Sequence, residues 1–287
     1  MTKIFPSKGN SEESISVSIN GVEFFASGQD QIYGFEFWEK VNAGRYEPDT
    51  FAFLKASVTT KTLFIDIGAA VGAMTLFMGK LGAQVISLEP HPKIFDILGE
   101  NLGLNPNLRN SVTIMRAALG VDNITMIRGE LDPSLLTPIV FTNSSRNEFG
   151  DVKVITLPTI LQNFPPDTRR VIAKMDIEGA EWKIFESKEF LDCCNHYEIT
   201  VLLAVHPGLD KPYTDHTNAL FHFLILSRWR IRNIFQLFTF FKRSSGSFRV
   251  YRTNYQEVSK FYMFLLLCMG GYHEYILDFT KKSQISR

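Results

Sequence analysis

The chain has 287 residues, 45% hydrophobic and 13% aromatic, with 30 Lys plus Arg balanced by 30 Asp plus Glu. This suffices for one large core or for one domain with an appendage, and the zero net charge argues against a nucleic-acid partner. Three cysteines (Cys193 and Cys194 adjacent) form no disulfide framework, the opening residues form no secretory signal, and the longest apolar run, 261–271, is too short to span a bilayer, so a soluble cytoplasmic protein is expected.

Residues 1–13 are polar. Alternation over 15–25, broken by Asn20-Gly21, predicts a hairpin. Over 31–58, Phe35, Trp38 and Val41 fall at helical spacing, and Pro48 with Asp49 opens a second helix. Residues 1–60 are therefore expected to form a hairpin and helical lid or brace ahead of a main domain over 61–287. From 62 onward strands alternate with helices. Strands are predicted over 62–67, 84–89, 112–117, 171–176 and 198–206, with helices over 72–81, 92–103, 157–163, 180–188 and 214–242. Residues 121–150, rich in Asn, Ser, Arg and Gly, read as an insertion. The tail offers a strand over 247–253, a helix over 255–269 and, past Gly270-Gly271, a strand over 272–279. This pattern predicts an α/β fold: a mostly parallel seven-stranded sheet with helices on both faces.

Residues 62–89 carry the strongest functional signal. They read as strand, glycine turn, helix and strand, with Asp66 and Glu89 closing the two strands. Gly68 and Gly72 let backbone approach a ligand closely, and the following helix offers its N-terminal amides. Glu89, about 20 residues past the first glycine, is placed to accept hydrogen bonds from ribose hydroxyls. The run Gly68-Ala69-Ala70-Val71-Gly72 lacks the middle glycine of a dinucleotide fingerprint, and Asp66 suits a cationic ligand better than a diphosphate. S-adenosyl-L-methionine therefore fits better than NAD. An NAD-linked oxidoreductase on the same fold is the alternative enzyme, and a βαβ unit with small residues for close packing is the plainer reading.

Ligands of open α/β sheets dock at the carboxyl ends of the strands, where Asp66, Glu89, Ala117, Asp176 and His206 are all expected. The segment Lys174-Met-Asp176-Ile-Glu178-Gly-Ala-Glu181 puts Asp176 and Glu178 just past the fourth strand. Glu181 then falls in a first helical turn, where an acid complements the helix dipole.

Phe64-Ile-Asp-Ile-Gly-Ala, Glu89-Pro-His-Pro92, Asn101 with Asn105, and above all Lys174-Met-Asp-Ile-Glu-Gly-Ala-Glu181 resemble the FkbM-type S-adenosylmethionine-dependent methyltransferases. The resemblance starts at Trp38 and Tyr46-Glu47-Pro48 and runs to about His206. It implies a Rossmann-like class I methyltransferase fold and O-methylation of a sugar, glycan or glycosylated metabolite. By the same resemblance, Asp66, Gly68 and Gly72, with Ala69 in their loop, hold the amino-acid end of the cofactor. Glu89 holds the ribose, Ala117 and its neighbours line the adenine, and Glu47 reaches in from the N-terminal segment. Three positions depart from the family pattern: Ala70 replaces a usual asparagine, Pro158 an aspartate, and Ala204 a glutamate. All three lean toward inertness, so a catalytically degenerate cofactor-binding module is a further alternative.

An alcohol needs a base to take its proton, and Asp176, Glu178 and His206 are the candidates. The same three could hold a hard cation, but without a glutamate at 204 no metal is expected. The apolar stretch 217–243, with Arg228, Arg230, Arg232, Lys242 and Arg243, reads as a sheet-covering helix in preference to a membrane-surface contact. The expected partner is a small-molecule or glycan acceptor, recognised by 1–60, 121–150 and 208–260. Tyr46 and Phe149 are among the aromatics that could stack on a sugar.

Overall fold

The structure, a computed structural model, describes residues 14–28, 33–59, 61–121, 127–130, 140–141, 151–163, 170–177, 181–205, 248–254, 256–259, 263 and 273–280. The chain divides into two compact units, Met1–Lys174 and Met175–Arg287.

The first unit opens on β1 (Ser14–Ile19) and β2 (Val22–Ser27), paired antiparallel with Ile19 opposite Val22. Asn20 and Gly21 take φ of 49° and 77°, the left-handed pair that a two-residue hairpin turn requires. Alternation then buries Val17, Ile19, Phe24 and Ala26 on one face. Next come α1 (Gly34–Asn42) and α2 (Pro48–Ser57), with Pro48 in the first turn where its missing N–H costs nothing. Trp38 of α1 is fully buried and meets Phe24 edge-on, ring centroids 6.0 Å apart.

The unit continues through β3 (Thr62–Ile67), α3 (Ala73–Lys80), β4 (Gln84–Leu88), α4 (Pro92–Gly103), β5 (Val112–Met115), β6 (Ala117–Leu119), β7 (Ile127–Glu130), β8 (Val140–Phe141), β9 (Asp151–Ile155), α5 (Leu157–Asn163) and β10 (Arg170–Met175). One run of neighbouring strands is β10-β3-β4-β5, in which β3–β4 and β4–β5 are parallel. Every residue of β3 is buried, as expected of a strand covered on both faces. Residues 73–79 of α3 are likewise buried throughout.

A second sheet has the order β6-β9-β7-β8, with β6–β9 parallel and the other pairings antiparallel. It corrects two expectations. The strand predicted over 112–117 is broken at Arg116, so Ala117 opens β6 opposite Lys153 and does not close β5. The stretch 121–150 carries β7 and β8, and Asp-Val-Lys-Val-Ile forms β9 by a short alternation that buries Val152 and Val154.

The second unit holds α6 (Glu181–Glu186), α7 (Lys188–His196), β11 (Thr200–Val205), β12 (Arg249–Arg252), β13 (Glu257–Val258) and β14 (His273–Asp278). Its strands run β13-β12-β14-β11 and all pair antiparallel, so the fold is α/β as expected, but its strands are mixed and do not form a purely parallel seven-stranded sheet. The helix predicted over 180–188 ends early because the Ser187 side chain accepts the Phe190 N–H at 3.2 Å and starts α7. Part of the helix predicted over 255–269 is instead β13, which the bend at Thr253-Asn254 returns onto β12; Met263 is helical. The predicted helix 214–242 and the basic stretch 217–243 lie outside the described residues. No helix among the described residues is long and apolar enough to cross a membrane.

Candidate active site

The glycine turn between β3 and α3 is stitched to the end of β4. Gly68 and Ala69 both donate their N–H to the Leu88 carbonyl at 3.0 Å, and the Gly72 N–H donates to the Ala69 carbonyl at 2.9 Å. Gly68, Ala70 and Gly72 take φ of 82°, 47° and 92°, so alternate residues of the loop are left-handed. That places Gly72 at the cap of α3, and an added Cβ there would overlap Leu98 Cδ1.

Glu89 follows β4 directly and is buried. Its Oε2 accepts the Ala70 N–H at 3.0 Å and its Oε1 accepts the His91 N–H at 2.8 Å. Each oxygen keeps a second lone pair for a ligand hydroxyl. Burial pushes the Glu89 carboxyl up to about 7; the two backbone donors oppose that shift and the Asp66 charge adds to it. Asp66, at the end of β3, is also buried and accepts the Thr75 hydroxyl at 2.7 Å. Thr75 lies 2.6 Å from the Ser87 hydroxyl, so a buried chain of two hydroxyls fixes the Asp66 carboxylate. His91 caps α4 by accepting the Ile94 N–H on Nδ1 at 3.3 Å. Its pKa lies below the ordinary imidazole value, chiefly through burial, which favours the neutral ring that this cap needs.

Glu47 stands at the cap of α2 with φ 41° and ψ 51°, an uncommon backbone for a non-glycine residue. Its Oε2 lies 3.5 Å from Nζ of Lys174 in β10, and both side chains are nearly buried. Asp176 follows β10 and is half-buried. Glu181 is buried and accepts the Ile177 N–H at 3.3 Å, a local helix-start contact of the kind expected for it. Burial pushes the Cys193 thiol up to about 11 and that of Cys194 well above its ordinary value, so both stay protonated at neutral pH.

The Methyltransferase FkbM domain matches residues 66–229, more than half of the chain. The chain belongs to the FkbM family of S-adenosylmethionine-dependent methyltransferases. That membership displaces the nicotinamide alternative. The chain is 24% identical over 160 residues to Methyltransferase sdnD of Sordaria araneosa, covering 46% of this chain and 62% of that relative. It thus spans less than two thirds of that relative's length. Among solved structures it is similar to precorrin-6y C5,15-methyltransferase from Geobacter metallireducens GS-15, at TM-score 0.36, 13% identity, and coverage of 91% of this chain and 95% of that one. It is also similar to a geranyl diphosphate methyltransferase in complex with GPP and sinefungin, at TM-score 0.40, 8% identity, and coverage of 94% and 88%.

The donor set of this chain fits S-adenosylmethionine on its own terms. Two buried carboxylates, close enough for Asp66 to raise the Glu89 pKa, make an anionic cradle. A sulfonium and an ammonium are complementary to it, whereas a diphosphate would be repelled.

Of the predicted site residues, Asp66, Gly68, Ala69, Gly72 and Glu89 come together in this one loop cluster. Glu47 is brought to Lys174. Ala117 is fully buried at the start of β6, while Met115, at the end of β5, is the residue that meets Glu89. The Met115 carbonyl accepts the Glu89 N–H at 3.1 Å, and its side chain is half-exposed. Glu178 and His206 lie outside the described residues. Thr75 and Ser87, which hold Asp66, and Lys174, which meets Glu47, are polar residues inside an otherwise apolar helix or strand, and that contrast is their mark in the sequence.

The loop geometry also gives Ala70 a physical meaning. At φ 47° an alanine is strained where asparagine is tolerated, matching the residue usual in the family. Ala70→Asn is expected to stabilise the protein by about 1 kcal/mol, read as a higher urea midpoint at an unchanged slope.

Proposed function

We propose that this methyltransferase moves a methyl group from S-adenosylmethionine to a hydroxyl oxygen of a small acceptor, of the sugar or glycosylated-metabolite class. The observation that carries the cofactor half of the reading is the anionic cradle of Asp66 and Glu89 beneath a left-handed glycine loop. Family membership and the acids past β10 support the acceptor half.

When bound, the cofactor supplies an electrophilic methyl carbon on a sulfonium. Asp66, Gly68 and Gly72, with Ala69 in their loop, would hold its amino-acid end, and the remaining lone pairs of Glu89 would accept the ribose hydroxyls. Met115, half-exposed beside Glu89, lines the adenine in place of Ala117. Glu47, held by Lys174, reaches the same site from the N-terminal segment. Asp176 would receive the proton of the acceptor hydroxyl on a carboxylate oxygen as the C–O bond forms and the methyl–sulfur bond breaks, leaving the neutral thioether S-adenosylhomocysteine, with Glu178 and His206 as its alternatives. Alignment of the two reactants supplies much of the rate. Residues 1–60 and 61–287 act as lid and catalytic domain in this reading, and Tyr46 and Phe149 are acceptor contacts.

Binding is tested by calorimetric titration with S-adenosylhomocysteine and NAD, where only the first is expected to bind. Transfer is tested by incubating radiolabelled cofactor with a panel of sugars and glycosides, and label on nitrogen or carbon would redirect the assignment. Asp176→Asn is expected to lower turnover more than about tenfold while cofactor affinity stays within a few-fold. An Asp176→Asn enzyme of wild-type activity would remove that residue from the mechanism.

A further inference from the structure

The free edge of β2 is closed by two side chains of the α4 region, not by another strand. The Asn105 carboxamide accepts the Phe25 N–H at 3.0 Å and donates to the Phe25 carbonyl at 2.6 Å, completing the pairing that a neighbouring strand would give. Asn101 lies four residues earlier, in the last turn of α4, and Asn105 just past the end of that helix. Its Oδ1 accepts the Ser27 N–H at 2.7 Å. Its Nδ2 does not bond the hairpin. It donates at 2.8 Å to the carbonyl of Val71, between Ala70, which bonds Glu89, and Gly72, which caps α3. Both asparagines are buried.

We propose that Asn101 is a positioning residue of the cofactor loop, and that through its single carboxamide the N-terminal hairpin forms part of the cofactor site. This rests on the cofactor reading given above. A carboxamide is planar and rigid, so its donor and acceptor ends move together. Displacing β2 withdraws the donor from Val71, and Val71 sits where the loop turns between two left-handed residues. Asn105 holds the same hairpin without touching the loop, and it meets Asn101 only at the backbone carbonyl, which accepts its Nδ2 at 2.8 Å. The Asn101 carboxamide alone therefore links docking to the loop. By reciprocity, ligand that fixes the loop must also steady the hairpin edge.

Asn101→Ala is expected to raise the Kd for S-adenosylhomocysteine by at least about tenfold. Asn105→Ala is expected to leave that Kd within about threefold, although both variants lower Tm. Equal shifts in the two variants, or none in Asn101→Ala, would reduce Asn101 to a docking clamp and overturn the proposal. Amide exchange on the wild-type protein gives a readout that does not depend on the variants folding. S-adenosylhomocysteine is expected to slow exchange at Phe25 and Ser27 as well as across residues 68–72. Protection confined to the loop overturns the coupling. A wild-type protein that does not bind S-adenosylhomocysteine refutes the cofactor reading itself, a distinct result.

Discussion

Glu89→Ala is expected to weaken S-adenosylhomocysteine binding by at least about a hundredfold, because two charge-assisted hydrogen bonds are lost, each of about 1.5–3 kcal/mol. The Ala70 and His91 amides lose their acceptor in the same step, so the loop that shapes the site loosens as well. Calorimetry checks the affinity, and Glu89→Gln separates charge from shape.

The pH dependence follows from the same carboxyl, raised from 4.5 to about 7 in the folded protein. The folded state binds this proton more tightly than the unfolded chain does. Its contribution, of about 3 kcal/mol, is full below the unfolded value and is lost as pH rises through about 7. In the proposed reading the ionised form accepts the ribose hydroxyls, so affinity runs the other way and is expected to rise about tenfold from pH 6 to pH 8. Titrations at both pH values check this. A flat profile in Glu89→Gln beside a rising one in the wild type assigns the effect to Glu89.

Gly72→Ala is expected to cost about 2–5 kcal/mol of stability and to abolish cofactor binding. Two effects add: the left-handed φ of 92°, and a Cβ overlapping Leu98 Cδ1 in a packed interior. Leu98 is fully buried and has little room to yield. Urea unfolding gives the stability term, and Gly72→Ala combined with Leu98→Ala is expected to restore part of it by making space. A single variant as stable as wild type would mean that the loop does not depend on the backbone at Gly72.

Local chemistry made much of the first unit legible. Asn20-Gly21 marks its hairpin, Pro48 marks the start of α2, and the buried run Thr62–Ile67 marks β3, because turn geometry, a missing N–H and two-sided burial each leave a mark within a few residues. Asp66 and Glu89 could be read as a cofactor cradle because strand ends and glycine spacing are also local. Pairing partners are not local. Nothing near Ala117 shows that it leaves β5 to pair with β9, or that β11, β12 and β14 pair antiparallel, since strand direction is set by neighbours distant in the chain. The sequence alone determined the family, the cofactor class and the acids at the strand ends. Tertiary structure decided that Lys174 holds Glu47, that Thr75 and Ser87 hold Asp66, and that Asn101 joins a hairpin to the glycine loop. Each of these contacts satisfies a buried polar group with a partner remote in sequence, and which partner is available depends on what the fold brings within hydrogen-bond reach.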